Sequence, residues 1–191
     1  MRQVYFFMSV SLDGYFEGPD HDLSWHNVDD EFNEFAVEQL RQTDLYLFGR
    51  RVYETMEAFW PNAPNDPSLS KDDLEIARQL NHTPKIVYSK TLDRVVETEN
   101  WTNVTLLRDF DPEEVRRLKQ QPGKSIGAGG SDFALSLIKH GLIDEFRLMI
   151  TPVCLGRGTP LFSGLDRRRS LELIGARRFK SGSTLLTYKP A

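Results

Sequence analysis

The chain has 191 residues, 39% hydrophobic and 11% aromatic, enough for one sizeable core, which excludes the disordered, collagenous and coiled-coil classes. Its net charge of −4 gives no overall attraction to phosphate backbones and weighs against a nucleic-acid partner. The single cysteine, Cys154, excludes an internal disulfide framework, and no apolar run approaches the ~20 residues needed to cross a bilayer. The N-terminus lacks the features of a secretory signal, so the expectation is a cytoplasmic protein.

Taken in chain order, Val4 to Val10 is the first continuously apolar run, as expected of a strand buried on both faces. It runs into Ser9-Val10-Ser11-Leu12-Asp13-Gly14, which is either a plain Asp-Gly turn or a ligand position, because ligands of α/β sheets sit at the carboxyl ends of central strands. From about Asp29 to Gln42, Phe32, Phe35, Ala36 and Leu40 form one apolar stripe of a helix. Leu45 to Phe48 is the next strand, and Gly49-Arg50-Arg51-Val52-Tyr53-Glu54 leads from it into a helix. Adjacent arginines at a helix start oppose its dipole unless something negative is bound, which suggests a phosphate; the alternative is that they reach a neighbouring carboxylate. Pro61 to Pro67 is expected to be the only loop of any length, and Ser70 to Asp73 caps a helix carrying Leu74, Ala77 and Leu80.

Ile86 to Tyr88 is a strand ending in Ser89-Lys90-Thr91, whose two hydroxyls and one ammonium suit a ribose 2′-phosphate and favour NADP over NAD. After a strand at Val104 to Leu107, Asp111-Pro112-Glu113-Glu114 supplies a cap, a first-turn proline and an N3 carboxylate. Ser125 to Gly127 opens Ile126-Gly127-Ala128-Gly129-Gly130-Ser131-Asp132, where missing side chains let a pyrophosphate approach the backbone. Ser131 is expected to cap the following helix, and Gly141 to close it. The turn is not a Rossmann fingerprint, because position 132 is Asp and no acidic strand end follows at the usual distance, so a second architecture for dinucleotide binding is needed. Phe146 to Ile150 is a further strand, and Leu171 to Phe179, Ser181-Gly182 and Thr184 to Tyr188 form an antiparallel hairpin. The arginines at 167–169 and 177–178 read as a solvated turn and strand face. The four histidines have no ligand spacing and are expected on the surface or in turns, with no metal bound.

In this order, and with Pro152-Val153-Cys154-Leu155-Gly156-Arg157-Gly158-Thr159-Pro160-Leu161-Phe162, these segments resemble the riboflavin-biosynthesis reductase domain and its stand-alone dihydrofolate reductase-like relatives over nearly the whole chain. The resemblance implies one α/β domain over 1–191, with a mixed, mostly parallel eight-stranded sheet flanked by helices and a C-terminal antiparallel hairpin. It implies NADPH lying across strand ends and a homodimer. Position by position, it puts Gly49, Arg50 and Arg51 at the cofactor phosphates and Ser89, Lys90 and Thr91 at the adenosine-ribose end. Gly127, Gly129, Gly130, Ser131 and Asp132 would face the pyrophosphate, and Val10 and Ser11 would border the nicotinamide. Asp13, Trp25, Asp30 and Tyr53 would surround the substrate. In dihydrofolate reductases a carboxylate five positions after a tryptophan supplies the proton, and Trp25 with Asp30 reproduces that spacing, although Asp30 could equally cap a helix. The implied activity is hydride transfer to a pteridine-like or aminopyrimidine-like small molecule; the alternative is an NADP-binding module without catalysis. The zinc deaminase half of the riboflavin enzyme is absent, since no His-x-Glu with Pro-Cys-x-x-Cys occurs.

Overall fold

The computed structural model describes residues 1–191, with ten strands and five α-helices. In chain order these are β1 (Val4–Ser11), β2 (Tyr15–Glu17), α1 (Asp30–Arg41), β3 (Thr43–Gly49), α2 (Arg50–Phe59), α3 (Lys71–His82), β4 (Lys85–Tyr88) and β5 (Val104–Leu107). They continue with α4 (Pro112–Gln120), β6 (Ser125–Gly129), α5 (Ser131–Lys139), β7 (Glu145–Thr151), β8 (Thr159–Pro160), β9 (Leu171–Arg178) and β10 (Thr184–Pro190). Eight strands form one sheet in the order β5-β4-β3-β6-β1-β7-β10-β9. All neighbours from β5 to β7 are parallel, and β10 runs antiparallel to both β7 and β9.

The apolar runs are continuous because helices cover both faces of the parallel part. Leu45 and Leu47 of β3 point to the face where Val115 of α4 and Phe133, Ala134 and Leu137 of α5 pack. Tyr46 and Phe48 point to the other face, against Val37 and Leu40 of α1, Tyr53 of α2 and Ile76 and Leu80 of α3. Every expected strand is present, with ends displaced by at most a few residues.

Several local expectations need correction. Asp29, not Asp30, caps α1: its Oδ1 accepts the N–H of Phe32 at 2.8 Å. Gly130, not Ser131, is the cap of α5, whose far end closes as expected, with Gly141 at φ +65 and Leu142 N–H on the carbonyl of Leu137. The two-stranded ribbon of β2 and β8 was not anticipated. Residues 89–103 and 161–170 are longer connections than Pro61 to Pro67, which itself contains a 3-10 turn at Ala63–Asn65. Arg177 is not simply solvated, because it meets Glu38 of α1 at 3.2 Å and lies over the ring of Phe179. His26 also departs from the surface expectation: its Nε2 is buried and has no partner.

The connection at 89–103 is fastened from below by Lys85, whose Nζ donates to the carbonyls of Asn81, Thr83 and Thr102 and lies 4.3 Å from the centre of the Trp101 ring. Burial pushes this ammonium down to about 7, against the attraction of Glu97.

Candidate active site

The carboxyl ends of β4, β3, β6 and β1 lie side by side along one edge of the sheet, with Gly49 in register with Tyr88 and Phe48 with Gly129. Helices α2 and α5 start directly from the ends of β3 and β6. The other three α-helices begin at a side-chain cap, from Asp29, Ser70 or Asp111, whereas α2 and α5 begin at Gly49 and Gly130 and have none. Their first-turn N–H groups therefore stay open, and those of α2 have no acidic residue beside them. The two glycines are adjacent in space. Gly130 has φ +96, and a Cβ there would lie 3.3 Å from Val52 Cγ2 and 3.9 Å from the Gly49 nitrogen, so glycine keeps the gap between the helix starts clear. At Gly129 and Gly127 the missing side chains serve packing instead: the rings of Phe48 and Tyr46 occupy those positions.

Two of the cations around this gap are already engaged. Arg50 donates to Glu54 at 2.8 Å and to the Thr91 hydroxyl at 2.8 Å, which joins the start of α2 to the segment after β4 and also fulfils the alternative of a neighbouring carboxylate. Ser89 is buried, and its hydroxyl accepts the N–H groups of Thr91 and Leu92, so it shapes the turn. Lys90 is exposed and 3.3 Å from Asp109. Ser131 is half-buried and Asp132 exposed on the first turn of α5.

At the end of β1, Val10 and Ser11 are buried. The Ser11 hydroxyl donates to Asp13 at 2.7 Å, and the Asp13 carboxylate also accepts the N–H groups of Leu155 and Gly156 at 3.1 and 2.7 Å. The bond from Ser11 and then those from Gly156 and Leu155 hold this carboxyl at about 2, below its ordinary 3.8. Asp13 is thus a clamp between the β1 turn and the segment 152–158, ionised at neutral pH.

The space beyond this turn is ringed by three further contacts. Asn27 reaches the Ser183 hydroxyl at 3.4 Å, Glu31 of α1 accepts the N–H of Lys180 at 2.7 Å, and Gly182 abuts Pro152. These bring the first turn of α1, the hairpin turn and the segment 152–158 together around β1. Trp25 lies in the segment leading to α1, half-buried, with its Nε1 on the carbonyl of Asp22 and its ring edge-on to His26. Asp30 is exposed on the first turn of α1. Tyr53 is placed apart from this group: it is buried beside Trp101 in the cluster under α2 and α3, and its hydroxyl, which burial pushes up, has no partner. Sequence reasoning passed over Glu17, His21 and His26; the only available signals were the i,i+4 spacing of Glu17 and His21 and the adjacency of His26 to Trp25.

The family model for the RibD C-terminal domain matches residues 2–185. The uncharacterised protein YyaP of Bacillus subtilis strain 168 is 33% identical over 190 residues, covering 98% of this chain and 94% of its own length. A candidate riboflavin biosynthesis protein from Shewanella sp. PV-4 superposes with a TM-score of 0.74 over 99% of both chains at 23% identity. Dihydrofolate reductase from Enterococcus faecalis, solved with NADP(H), does so with a TM-score of 0.63 over 98% of this chain and 96% of its own at 15% identity. The two structural likenesses establish the dihydrofolate reductase-like fold, with its mixed, mostly parallel sheet and terminal antiparallel hairpin. With a family match that runs through every strand of the sheet edge described above, the chain belongs to the RibD C-terminal domain family.

Proposed function

We propose that the chain is an NADPH-dependent reductase that delivers hydride to a pteridine-like or aminopyrimidine-like small molecule. The observation that carries this reading is the pair of helix starts at Gly49 and Gly130, adjacent and without side-chain caps in a protein whose other α-helices are capped. Two sets of open N–H donors that no cap side chain covers fit a pyrophosphate, and Lys90 and Thr91, one strand further along, fit a ribose phosphate. Families of this fold include reductases that use NADPH.

When bound, NADPH supplies the hydride from its nicotinamide. The chain's own part is to hold the nucleotide at α2 and α5, to fix the end of β1 through the Asp13 clamp, and to surround the substrate with Trp25, the hairpin turn and the segment 152–158. Asp13 is ionised and tied by its donors, so it has no proton to give. We assign proton delivery to Asp30, an exposed carboxylate that no hydrogen bond or ion pair engages. The working form is assigned as a cytoplasmic homodimer joined at the β9 edge. No helix is long and apolar enough to cross a membrane.

The test is NADPH oxidation against dihydrofolate, a dihydropterin and a phosphoribosylaminopyrimidine. Turnover of one of them is expected. Tight NADPH binding without any turnover would favour the second reading, a nucleotide-binding module without catalysis, which the exposure of Asp30 supports.

A further inference from the structure

We propose that Glu17 and His21 are positioning residues for Arg51, and through it for the phosphate end of the nucleotide; the inference rests on the nucleotide reading of α2. Glu17 closes β2 and is buried, yet both of its carboxylate oxygens are satisfied. Oε1 accepts the Thr159 hydroxyl at 2.7 Å, and Oε2 accepts Nδ1 of His21 at 2.9 Å. The ribbon holds it tightly from the other side as well, because a Cβ on Gly158 would collide with the Glu17 carbonyl oxygen. Burial alone would raise the Glu17 carboxyl, but the bonds from Thr159 and His21 and the nearby positive charges outweigh it and keep the group below its ordinary range.

The fixed carboxylate in turn fixes a ring. Nδ1 of His21 lies on the Glu17 carboxylate at 2.9 Å, which sets the orientation of the ring. Asp20 and His21 both adopt left-handed backbone, φ +55 and +61, which folds the chain back so that the ring faces α2. Nη2 of Arg51 lies 2.8 Å from Nε2 and 3.2 Å from Nδ1. An atom that close to both nitrogens sits over the ring and not along one lone pair, so one nitrogen of the guanidinium meets the face of the imidazole.

This contact matters because of what surrounds Arg51. The positive end of the α2 dipole and the neighbouring Arg50 both push its charge away from the helix start. The ring and the carboxylate behind it oppose that push, while the other guanidinium nitrogens keep their N–H donors: Arg51 has no other side-chain partner. Without His21 the head would swing into solvent.

The experiment is a fluorescence titration of the intact chain with NADPH, comparing wild type with His21→Ala, Arg51→Ala, the double variant, His21→Phe and Glu17→Gln. His21→Ala and Arg51→Ala are each expected to weaken binding about fivefold, and the double variant no more than Arg51→Ala alone, because His21 acts through Arg51. His21→Phe keeps an aromatic face for the cation and should recover part of the loss, and Glu17→Gln should cost about twofold in the wild-type background and nothing beside His21→Ala. Thermal midpoints measured in parallel identify variants that fail to fold; His21 is exposed, so its variants carry the decision. Additive losses, or wild-type affinity in His21→Ala, would overturn the inference while leaving the nucleotide reading intact. Absence of NADPH binding by the wild type would overturn both.

Discussion

Asp13 and Asp30 differ in what surrounds them. Asp13 is held by a hydroxyl and two backbone N–H groups, so the stability it contributes is present above its ordinary 3.8 and is lost as the pH falls toward about 2. Asp13→Asn is expected to lower the thermal midpoint at neutral pH, with the gap to wild type closing in acid; a constant gap from pH 7 to 2 would show that the charge plays no part. Asp30→Asn is expected to lower turnover about 100-fold with NADPH affinity preserved, and steady-state kinetics beside a binding titration separates the two quantities. Lys90→Ala should weaken NADPH about tenfold and leave NADH unchanged, as measured by paired titrations, since only the former has a 2′-phosphate for the ammonium to meet. The sequence makes Lys90, Gly49 and Gly130 visible because their chemistry is in the side chain or in its absence. The clamp made by Asp13 was not visible, because two of its three partners are main-chain N–H groups of Leu155 and Gly156, which leave no mark on residue identity.

Among the elements, the long buried strands and the helix starts at Ser70 and Asp111 were legible from continuous apolar runs and cap residues. Adjacent candidates were not resolvable in the same way: either Asp29 or Asp30 has the oxygen a cap needs, and only the extended backbone at 29 selects the first. The β2–β8 ribbon escaped notice because it is too short for any period to develop, its register is interrupted, and Pro160 falls within it. The connection at 89–103 carries its own expectation through Lys85. Its folded value of about 7 lies below the ordinary 10.5, so between those values the unfolded chain binds more protons and stability rises with pH. Lys85→Met, which keeps much of the buried stem, should remove that rise. Denaturant midpoints measured from pH 6 to 10 check it, and an equal slope in both proteins would contradict it.

For the whole molecule, the exposed end of the sheet is the feature with a solution consequence. Edge strand β9 leaves Leu171, Leu173 and Ile174 exposed at 36, 53 and 48%, and its outer side has no neighbouring strand. An apolar edge of this kind invites a second copy. Leu173→Lys with Ile174→Lys is therefore expected to convert a dimer to a monomer in light scattering at micromolar concentration, without loss of NADPH binding; a wild-type monomer would refute the assignment. The order of strands has another consequence. The first strand of the chain, β1, is inserted between β6 and β7, so the apolar run from Val4 to Val10 finds both of its partners only after residue 145 has been made. Translation thus exposes this run before either of its partner strands has been synthesised. Early release or pausing before β7 would leave an adhesive segment with no seat, and the nascent chain becomes a natural client for holdase chaperones throughout that interval.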